Sequence, residues 1–124
     1  MAEIKTYRDL IVWQKSMSLV TEICEFIRSL PDEERFGLSS QIKRSVVSVP
    51  SNISEGYGRG SKKDYVRYLK IARGSLYEMQ TQLEICVNLV FLDKSVFDRM
   101  MEKSREIERM LSSLIGKVKN CDIH

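Results

Sequence analysis

Apolar residues recur every three or four positions through the middle of the chain, and this spacing constrains the fold more than any other feature. The residues of this stripe are Tyr65, Leu69, Ala72, Leu76, Met79, Leu83, Cys86 and Val90. An α-helix turns once every 3.6 residues, so the stripe falls on one face of a single long helix. Ser61, three residues ahead of Asp64, indicates a capping box at the start of that helix. We therefore predict a helix over residues 61–91.

Three further segments carry the same spacing and predict three more helices, over residues 8–30, 39–55 and 93–119. The stripe of the first consists of Leu10, Trp13, Met17, Val20, Cys24 and Ile27. The stripe of the second consists of Leu38, Ile42, Val46, Val49 and Ile53. The stripe of the last consists of Phe97, Met100, Ser104, Ile107, Leu111, Leu114 and Val118, with Asp93 as its N-cap. Pro50 lies inside the second segment, where it predicts a kink or a break.

Short connections between the four segments determine the predicted architecture. Gly56, Gly58 and Gly60 follow the second helix, and three glycines so close together predict that the helix ends and the chain reverses there. Four helices with short links pack most simply as an antiparallel up-down-up-down four-helix bundle. We therefore predict an all-α protein with a single domain over residues 1–124.

Several classes of protein are excluded by what the sequence lacks. No apolar run approaches the ~20 residues of a membrane span, and the N-terminus lacks the apolar region of a signal peptide, so we expect a cytoplasmic location and no membrane partner. His124 is the only histidine and is the last residue. A histidine base, a Ser-His or Cys-His pair and a histidine-rich metal site are therefore not expected. We predict that the protein is not an enzyme and has no cofactor and no metal.

Positive charge is concentrated between residues 43 and 73. Eight basic residues face two acidic ones there, a net charge of +6, whereas the rest of the chain carries −3. The basic residues are Lys43, Arg44, Arg59, Lys62, Lys63, Arg67, Lys70 and Arg73. Such a segment predicts binding to the phosphates of RNA or DNA, and Tyr57 and Tyr68 are candidates to stack on unpaired bases. The alternative is a solvated surface without a ligand.

Motifs over nearly the whole chain carry a family resemblance. They are YRDLIVWQK at residues 7–15, FGLSSQIKR at 36–44, VPSNISEGYGR at 49–59, IARGSLYE at 71–78 and TQLE at 81–84. Together they resemble the four-helix-bundle proteins of the 23S rRNA intervening-sequence family. The resemblance implies a homopentamer without known enzymatic activity. A related group, the accessory variability determinants of diversity-generating retroelements, forms similar basic pentamers that bind a reverse transcriptase and nucleic acid.

Some residues of these motifs are interpreted as structural. They are Pro50, Asn52, Glu55, Gly56, Gly58, Ser61 and Gly74. Asn52 and Glu55 flank the proline and the glycines, where backbone groups lack partners, so capping is favoured over ligand binding. Gly74 lies inside the third helix, where glycine is less favourable for helix stability than alanine. We therefore expect another helix or subunit to approach closely at this position.

Two functional hypotheses follow from these patterns. The first is a non-catalytic homo-oligomer that binds RNA or DNA through the basic segment. The alternative is an adaptor or accessory subunit that docks an acidic protein partner. The first helix has a wide apolar arc, and Ile71, Ile85 and Leu89 lie off the main stripe of the third, so we predict self-association. The sequence leaves open the partner, the choice between RNA and DNA, and any link to ribosomal RNA.

Overall fold

The computed structural model describes residues 3–120 and contains four α-helices. They are α1 (Ile11–Ile27), α2 (Leu38–Gly58), α3 (Lys62–Asn88) and α4 (Lys94–Lys119). Short 3-10 turns, Tyr7–Asp9 and Asp32–Glu34, precede α1 and α2. No strand occurs within residues 3–120, so the all-α prediction is confirmed.

Hydrogen bonds between α2 and α3 give the relative direction of these helices. The Ser45 hydroxyl donates to the Gln82 side-chain oxygen at 2.8 Å, and the Ser48 and Ser75 hydroxyls lie 2.9 Å apart. Residue numbers therefore rise along α2 as they fall along α3. The two helices are antiparallel.

The same register argument applies to α4 and both of its neighbours. Tyr77 donates to Glu108 at 3.0 Å, and the Arg73 guanidinium donates to Ser112 at 3.0 Å, which makes α3 and α4 antiparallel. On the other side, Lys15 pairs with Glu106 at 3.4 Å, while Glu22 pairs with Arg99 and Lys103 at 3.1 and 3.0 Å. Among the described helices, α1 and α3 each pack against both α2 and α4. The diagonal pairs, α1 with α3 and α2 with α4, do not pack together. The arrangement is the up-down-up-down bundle.

The predicted stripes of α3 and α4 contribute ten of the 21 buried apolar residues of the core within residues 3–120. On α3 the buried stripe residues are Leu69, Ala72, Leu76, Met79, Leu83 and Cys86. On α4 they are Phe97, Met100, Ser104, Ile107 and Leu111. Leu114 and Val118 are only partly buried, and Ile115 is buried beside them. The sequence pattern thus selects the correct face of both helices.

The predicted stripe of α1 is wrong by one residue. The buried residues are Val12, Ser16, Leu19 and Ile23, whereas Met17 is 43% exposed. The apolar arc of α1 is wide, and the polar Ser16 lies in the middle of the buried face. Apolar spacing in the sequence therefore does not identify that face. Ser16 is tolerated in the core because its hydroxyl donates to the Val12 carbonyl at 2.7 Å.

Helix α2 runs through Pro50 without a break and ends at Gly58, three residues beyond the predicted end at 55. Proline removes one helical donor, but nearby side chains add hydrogen bonds to backbone carbonyls. Ser51 donates to the Val47 carbonyl and Asn52 donates to the Ser48 carbonyl, each at 2.8 Å. The Asn52 side chain therefore bonds within α2, one turn back along the helix, and not to the Val46 carbonyl that Pro50 leaves without its helical donor.

Of the three glycines predicted to reverse the chain, only Gly60 has a positive φ, +88°. Gly56 and Gly58 are helical residues of α2. Gly56 is required for another reason, since a Cβ there would lie 2.7 Å from the Cβ of Tyr68. The glycine at position 56 allows α2 and α3 to approach closely just before the turn.

The third helix is shorter than predicted at its C-terminal end. It stops at Asn88, and Val90 has a φ of +63° and is 88% exposed. Val90 therefore lies outside the helical stripe, in a left-handed turn where the Phe91 amide donates to the Cys86 carbonyl at 2.8 Å. None of the helices in residues 3–120 is both long and apolar enough to cross a membrane.

Candidate nucleic-acid interface

The turn from α2 into α3 fixes the position of the basic residues. Gly60 reverses the chain, and the Ser61 hydroxyl accepts a hydrogen bond from the Asp64 amide at 3.1 Å as the N-cap of α3. Lys63, Arg67 and Lys70 then follow at spacings of four and three residues. They share one exposed face of the first turns of α3.

The end of α4 lies beside this face because α3 and α4 are antiparallel. An open groove of about 490 Å³ runs between the two helices, and we call it the basic groove. It is lined by Lys62, Lys63, Val66, Arg67, Lys70 and Lys119. Five of these six residues are cationic and none is acidic. Among residues 3–120, no carboxylate pairs with Lys63, Lys70 or Lys119.

Lys70 and Lys119 come close enough to repel each other. The positive charge of Lys119 lowers the pKa of Lys70, with smaller contributions from desolvation and from Arg73. Both side chains point into solvent, so the repulsion is screened by water and salt. An anion placed between the two ammonium groups would remove this repulsion.

Arginines at the edge of the basic groove are already engaged within the chain. Asp64 pairs with Arg59 at 3.9 Å and with Arg67 at 3.7 Å, and Glu55 pairs with Arg59 at 3.7 Å. Both guanidinium groups also contact the Tyr68 ring, Arg67 at 4.5 Å and Arg59 at 5.5 Å from its centroid. These two arginines pair with acidic residues on both sides of the turn, so their charge is partly neutralised.

The remaining predicted basic residues lie outside the basic groove. Arg73 flanks it on α3 and donates to Ser112 of α4. Lys43 and Arg44 are exposed on α2 near its start. At 1.5 Å per residue they lie roughly 22 Å from the end of α2 that meets the groove. The structure therefore does not bring Lys43 and Arg44 together with the groove.

The tyrosines near the turn pack against each other and against the arginines. The rings of Tyr57 and Tyr65 meet edge to face at 6.0 Å and 84°. Burial, together with Tyr57, raises the pKa of Tyr65 to about 12. Neither Tyr57 nor Tyr68 lines the basic groove, although the sequence makes both candidates to stack on unpaired bases.

Two of the predicted structural residues behave differently from each other. Ser61 caps α3 as expected. At Gly74, by contrast, a Cβ added to the backbone would have no atom of another helix within 4 Å, so the expected close approach does not occur within residues 3–120. Gly74 is exposed on α3.

Sequence reasoning missed Lys119 as a member of the site. The signal was present, because basic residues at the end of the fourth predicted helix must lie beside the start of the third in an antiparallel bundle. Charge counted along the chain does not show it, since the start of α3 and the end of α4 are far apart in sequence.

The acidic and cysteine side chains of residues 3–120 bear on metal binding and thiol chemistry. No group of three histidine, cysteine or acidic side chains is placed there to hold a metal ion. Cys24 and Cys86 are free thiols, and burial raises the pKa of Cys86 to about 11, which disfavours the nucleophilic thiolate. Cys121 and His124 lie outside the described residues.

The fold and the site define an all-α four-helix-bundle protein with a cationic groove at one end. The chain belongs to the 23S rRNA-intervening sequence protein family, whose sequence profile matches residues 8–113. It is also similar to a solved structure, described as a protein with unknown function from the S23 ribosomal protein family of Bacteroides thetaiotaomicron. The TM-score is 0.80 at 28% identity, over 86% of this chain and 96% of the other. No curated protein sequence matches this chain. Neither description specifies a reaction.

Proposed function

We propose that this protein is a non-catalytic bundle protein that binds the phosphates of RNA or DNA in the basic groove. One observation carries the proposal. Five cationic side chains, four from α3 and one from α4, line a single groove that has no acidic lining residue. Convergence from two helices makes the groove a property of the fold, whereas a run of charge on one exposed helix is usually only solvated.

Phosphate binding matches the chemistry that the groove offers. Lysine and arginine neutralise phosphates and release condensed counterions, which requires neither base contacts nor a catalytic group. Lys63, Lys70 and Lys119 are the principal ligands, because no ion pair within the described chain competes for them. Binding is then tolerant of sequence and strongly dependent on salt.

A triple substitution tests this function. Lys63, Lys70 and Lys119 are each changed to glutamine, and binding to a nucleic acid is measured by fluorescence anisotropy over a range of salt. We expect weaker binding and a log–log salt slope flatter by up to about 2, at 0.7 per single-strand phosphate contact. Helicity should not change, because these side chains lie off the core.

The matched control removes the same charge from the opposite end of the bundle. Arg28, Lys43 and Arg44 are exposed and have no ion pair among the described residues, so their triple change to glutamine should leave most of the binding intact. Equal losses in both triple variants would show only a general charge effect. Undetectable binding of the wild-type protein in low salt contradicts the proposed function.

We also propose that the protein self-associates, with five subunits as the number that the family resemblance implies. Ile71, Ile85 and Leu89 are 41, 40 and 49% exposed on the outer side of α3, where Gly74 leaves room for a neighbour. Such a row of exposed apolar residues is unfavourable in water unless another surface covers it. Each added subunit would also add a copy of the basic groove, and linked copies bind polyanions more tightly.

Light scattering tests the assembly. The wild-type protein should have a mass well above the 14.4 kDa of one chain. Changing Ile71 and Ile85 to serine should lower that mass, whereas Val90→Ser, which removes an apolar side chain that is 88% exposed in the α3–α4 turn, should not. A wild-type mass of one chain contradicts self-association.

A second candidate function is an adaptor for an acidic protein partner. A separate groove of about 480 Å³ lies between the start of α1 and the second half of α4. Leu10, Ile11, Met110 and Leu114 line it beside two cations, Arg109 and Lys117, and one acidic residue, Glu106. An apolar floor with cations at its edge suits a partner helix that carries apolar and acidic residues. A photo-reactive residue at position 11 should then cross-link to an acidic protein in cells. Cross-links only between copies of this chain would assign the groove to self-association.

The free thiols of Cys24 and Cys86 support a cytoplasmic location, which we propose as part of this function. Cysteines stay reduced in that compartment, whereas secreted proteins use them in disulfides. A tagged protein found in the cytoplasmic fraction of its cell would agree with this location.

A further inference from the structure

We infer that the basic groove binds double-helical nucleic acid along its phosphate backbone in preference to an unpaired strand. This inference rests on the proposed function and specifies its ligand. Two observations carry it: the density of cations in the groove, and the absence of a free aromatic surface for bases among its lining residues.

The density of positive charge matches a duplex. Lys63 and Lys70 lie seven residues apart on α3, or roughly 10 Å along the helix. Over that length a single strand presents about three phosphate charges and a duplex about six. Three of the five cations of the groove, Lys63, Arg67 and Lys70, lie within this span, and the other two lie directly beside it. Asp64 partly neutralises Arg67. A duplex therefore neutralises more of the cations than one strand can.

The groove also lacks what proteins use to hold unpaired bases. Binding of single strands depends on aromatic rings on which the bases stack. Val66 is the only lining residue without a charge, and it offers no ring.

The neighbouring aromatic rings are engaged elsewhere. Tyr68 is in contact with the guanidinium groups of Arg59 and Arg67. Tyr65 is partly buried with its ring against Tyr57, and these two rings line a separate pocket beside Lys62. Without stacking, an unpaired strand gains nothing that offsets its lower charge density. The cations of the groove therefore bind the nucleic acid through its phosphates.

A direct comparison tests this inference. A DNA duplex of about 20 base pairs and one of its strands, chosen to lack self-pairing, are titrated against the full chain at several salt concentrations. We expect the duplex to bind at least about threefold more tightly, with salt slopes in the ratio of about 0.9 to 0.7. Lys70→Gln should weaken binding to both forms.

Tyr57→Leu supplies an independent readout for base stacking. Its ring packs against Tyr65 beside the turn, so circular dichroism and light scattering first confirm that the variant keeps its helicity and mass. We expect both affinities to stay within about twofold of wild type, because stacking does not contribute. A selective loss of single-strand binding overturns the inference.

The possible results separate the two proposals. A single strand that binds as tightly as the duplex, or more tightly, overturns the duplex preference and leaves phosphate binding in place. If neither form binds in low salt, the proposed function itself fails.

Discussion

The α2–α3 and α1–α4 interfaces differ in how closely their helices approach. Between α2 and α3, Gly56 lies against Tyr68, and the buried Ser45 and Gln82 side chains hydrogen-bond to each other. Between α1 and α4, long charged side chains meet, and a groove of about 480 Å³ remains open. The small residue at position 56 allows close contact between α2 and α3, whereas ion pairs bridge α1 and α4 beside an open groove.

The two interfaces therefore differ in what they provide. The α2–α3 interface contributes mainly to stability, and the α1–α4 interface leaves surface that a partner could reach. The α2–α3 interface and the α3 stripe contain side chains that are fully buried, so each one contributes to the free energy of unfolding. The α1–α4 interface is solvated along its edge, and its ion pairs contribute little. Substitutions in the two interfaces should therefore have effects of different size.

The largest effects are expected on the buried stripe of α3. Leu76→Ala and Leu83→Ala should each reduce the free energy of unfolding by roughly 2–5 kcal/mol, because both side chains are fully buried. Leu114→Ala, beside the α1–α4 groove, should cost at most about 2 kcal/mol, since its site is partly open to water. Urea unfolding measures all three. A loss at Leu114 equal to the other two would remove the distinction between the interfaces.

A pair of glycines tests the close approach itself. Gly56→Ala should destabilise the fold by roughly 1–3 kcal/mol, because the added Cβ would lie only 2.7 Å from the Cβ of Tyr68. Gly58→Ala is the matched control two residues away, where nothing lies within 4 Å. It should be neutral or stabilising by up to about 1 kcal/mol, since alanine favours helix. Thermal melts that shift in the same direction for both variants would contradict the close contact at Gly56.

The two interfaces also explain why some elements could be predicted and others could not. On α3 a narrow apolar stripe has polar neighbours, so its spacing identifies the buried face. On α1 apolar residues cover a wide arc, and the centre of the buried face is the polar Ser16. The local hydrogen bond from Ser16 to the Val12 carbonyl satisfies the buried hydroxyl, and apolar spacing does not reveal it.

The basic groove shows the same limit for a site. Charge along the sequence identifies four of its five cations, Lys62, Lys63, Arg67 and Lys70, because they lie on one helix. Lys119 requires the packing of α4 against α3. Lys43 and Arg44 belong to the predicted site because they are near in sequence, but the length of α2 carries them to the other end of the bundle. A basic residue lines the groove when its helix places it at that end of the bundle, whether or not it is near the other lining residues in sequence.

The smallest effect is expected at the ion pairs of the α1–α4 interface. Glu22 accepts hydrogen bonds from Lys103 and Arg99 at 3.0 and 3.1 Å. Desolvation by burial opposes its ionisation, but these two partners outweigh that effect, and the pKa of Glu22 lies below its usual value of 4.5. Glu22→Gln should therefore cost no more than about 1 kcal/mol at neutral pH.

The pH dependence gives the sign of this last effect. A carboxyl with a lowered pKa in the folded state stabilises that state above its unfolded pKa and loses the contribution as pH falls through the folded value. The difference in unfolding free energy between wild type and Glu22→Gln should thus be present at pH 7 and shrink as the pH falls below 4.5. Glu25→Gln, on an exposed side chain without an ion pair in the described chain, is the control and should show no such difference. A Glu22→Gln loss above about 2 kcal/mol, or one that persists in acid, would mean that the α1–α4 ion pairs act like buried contacts and that the two interfaces are alike.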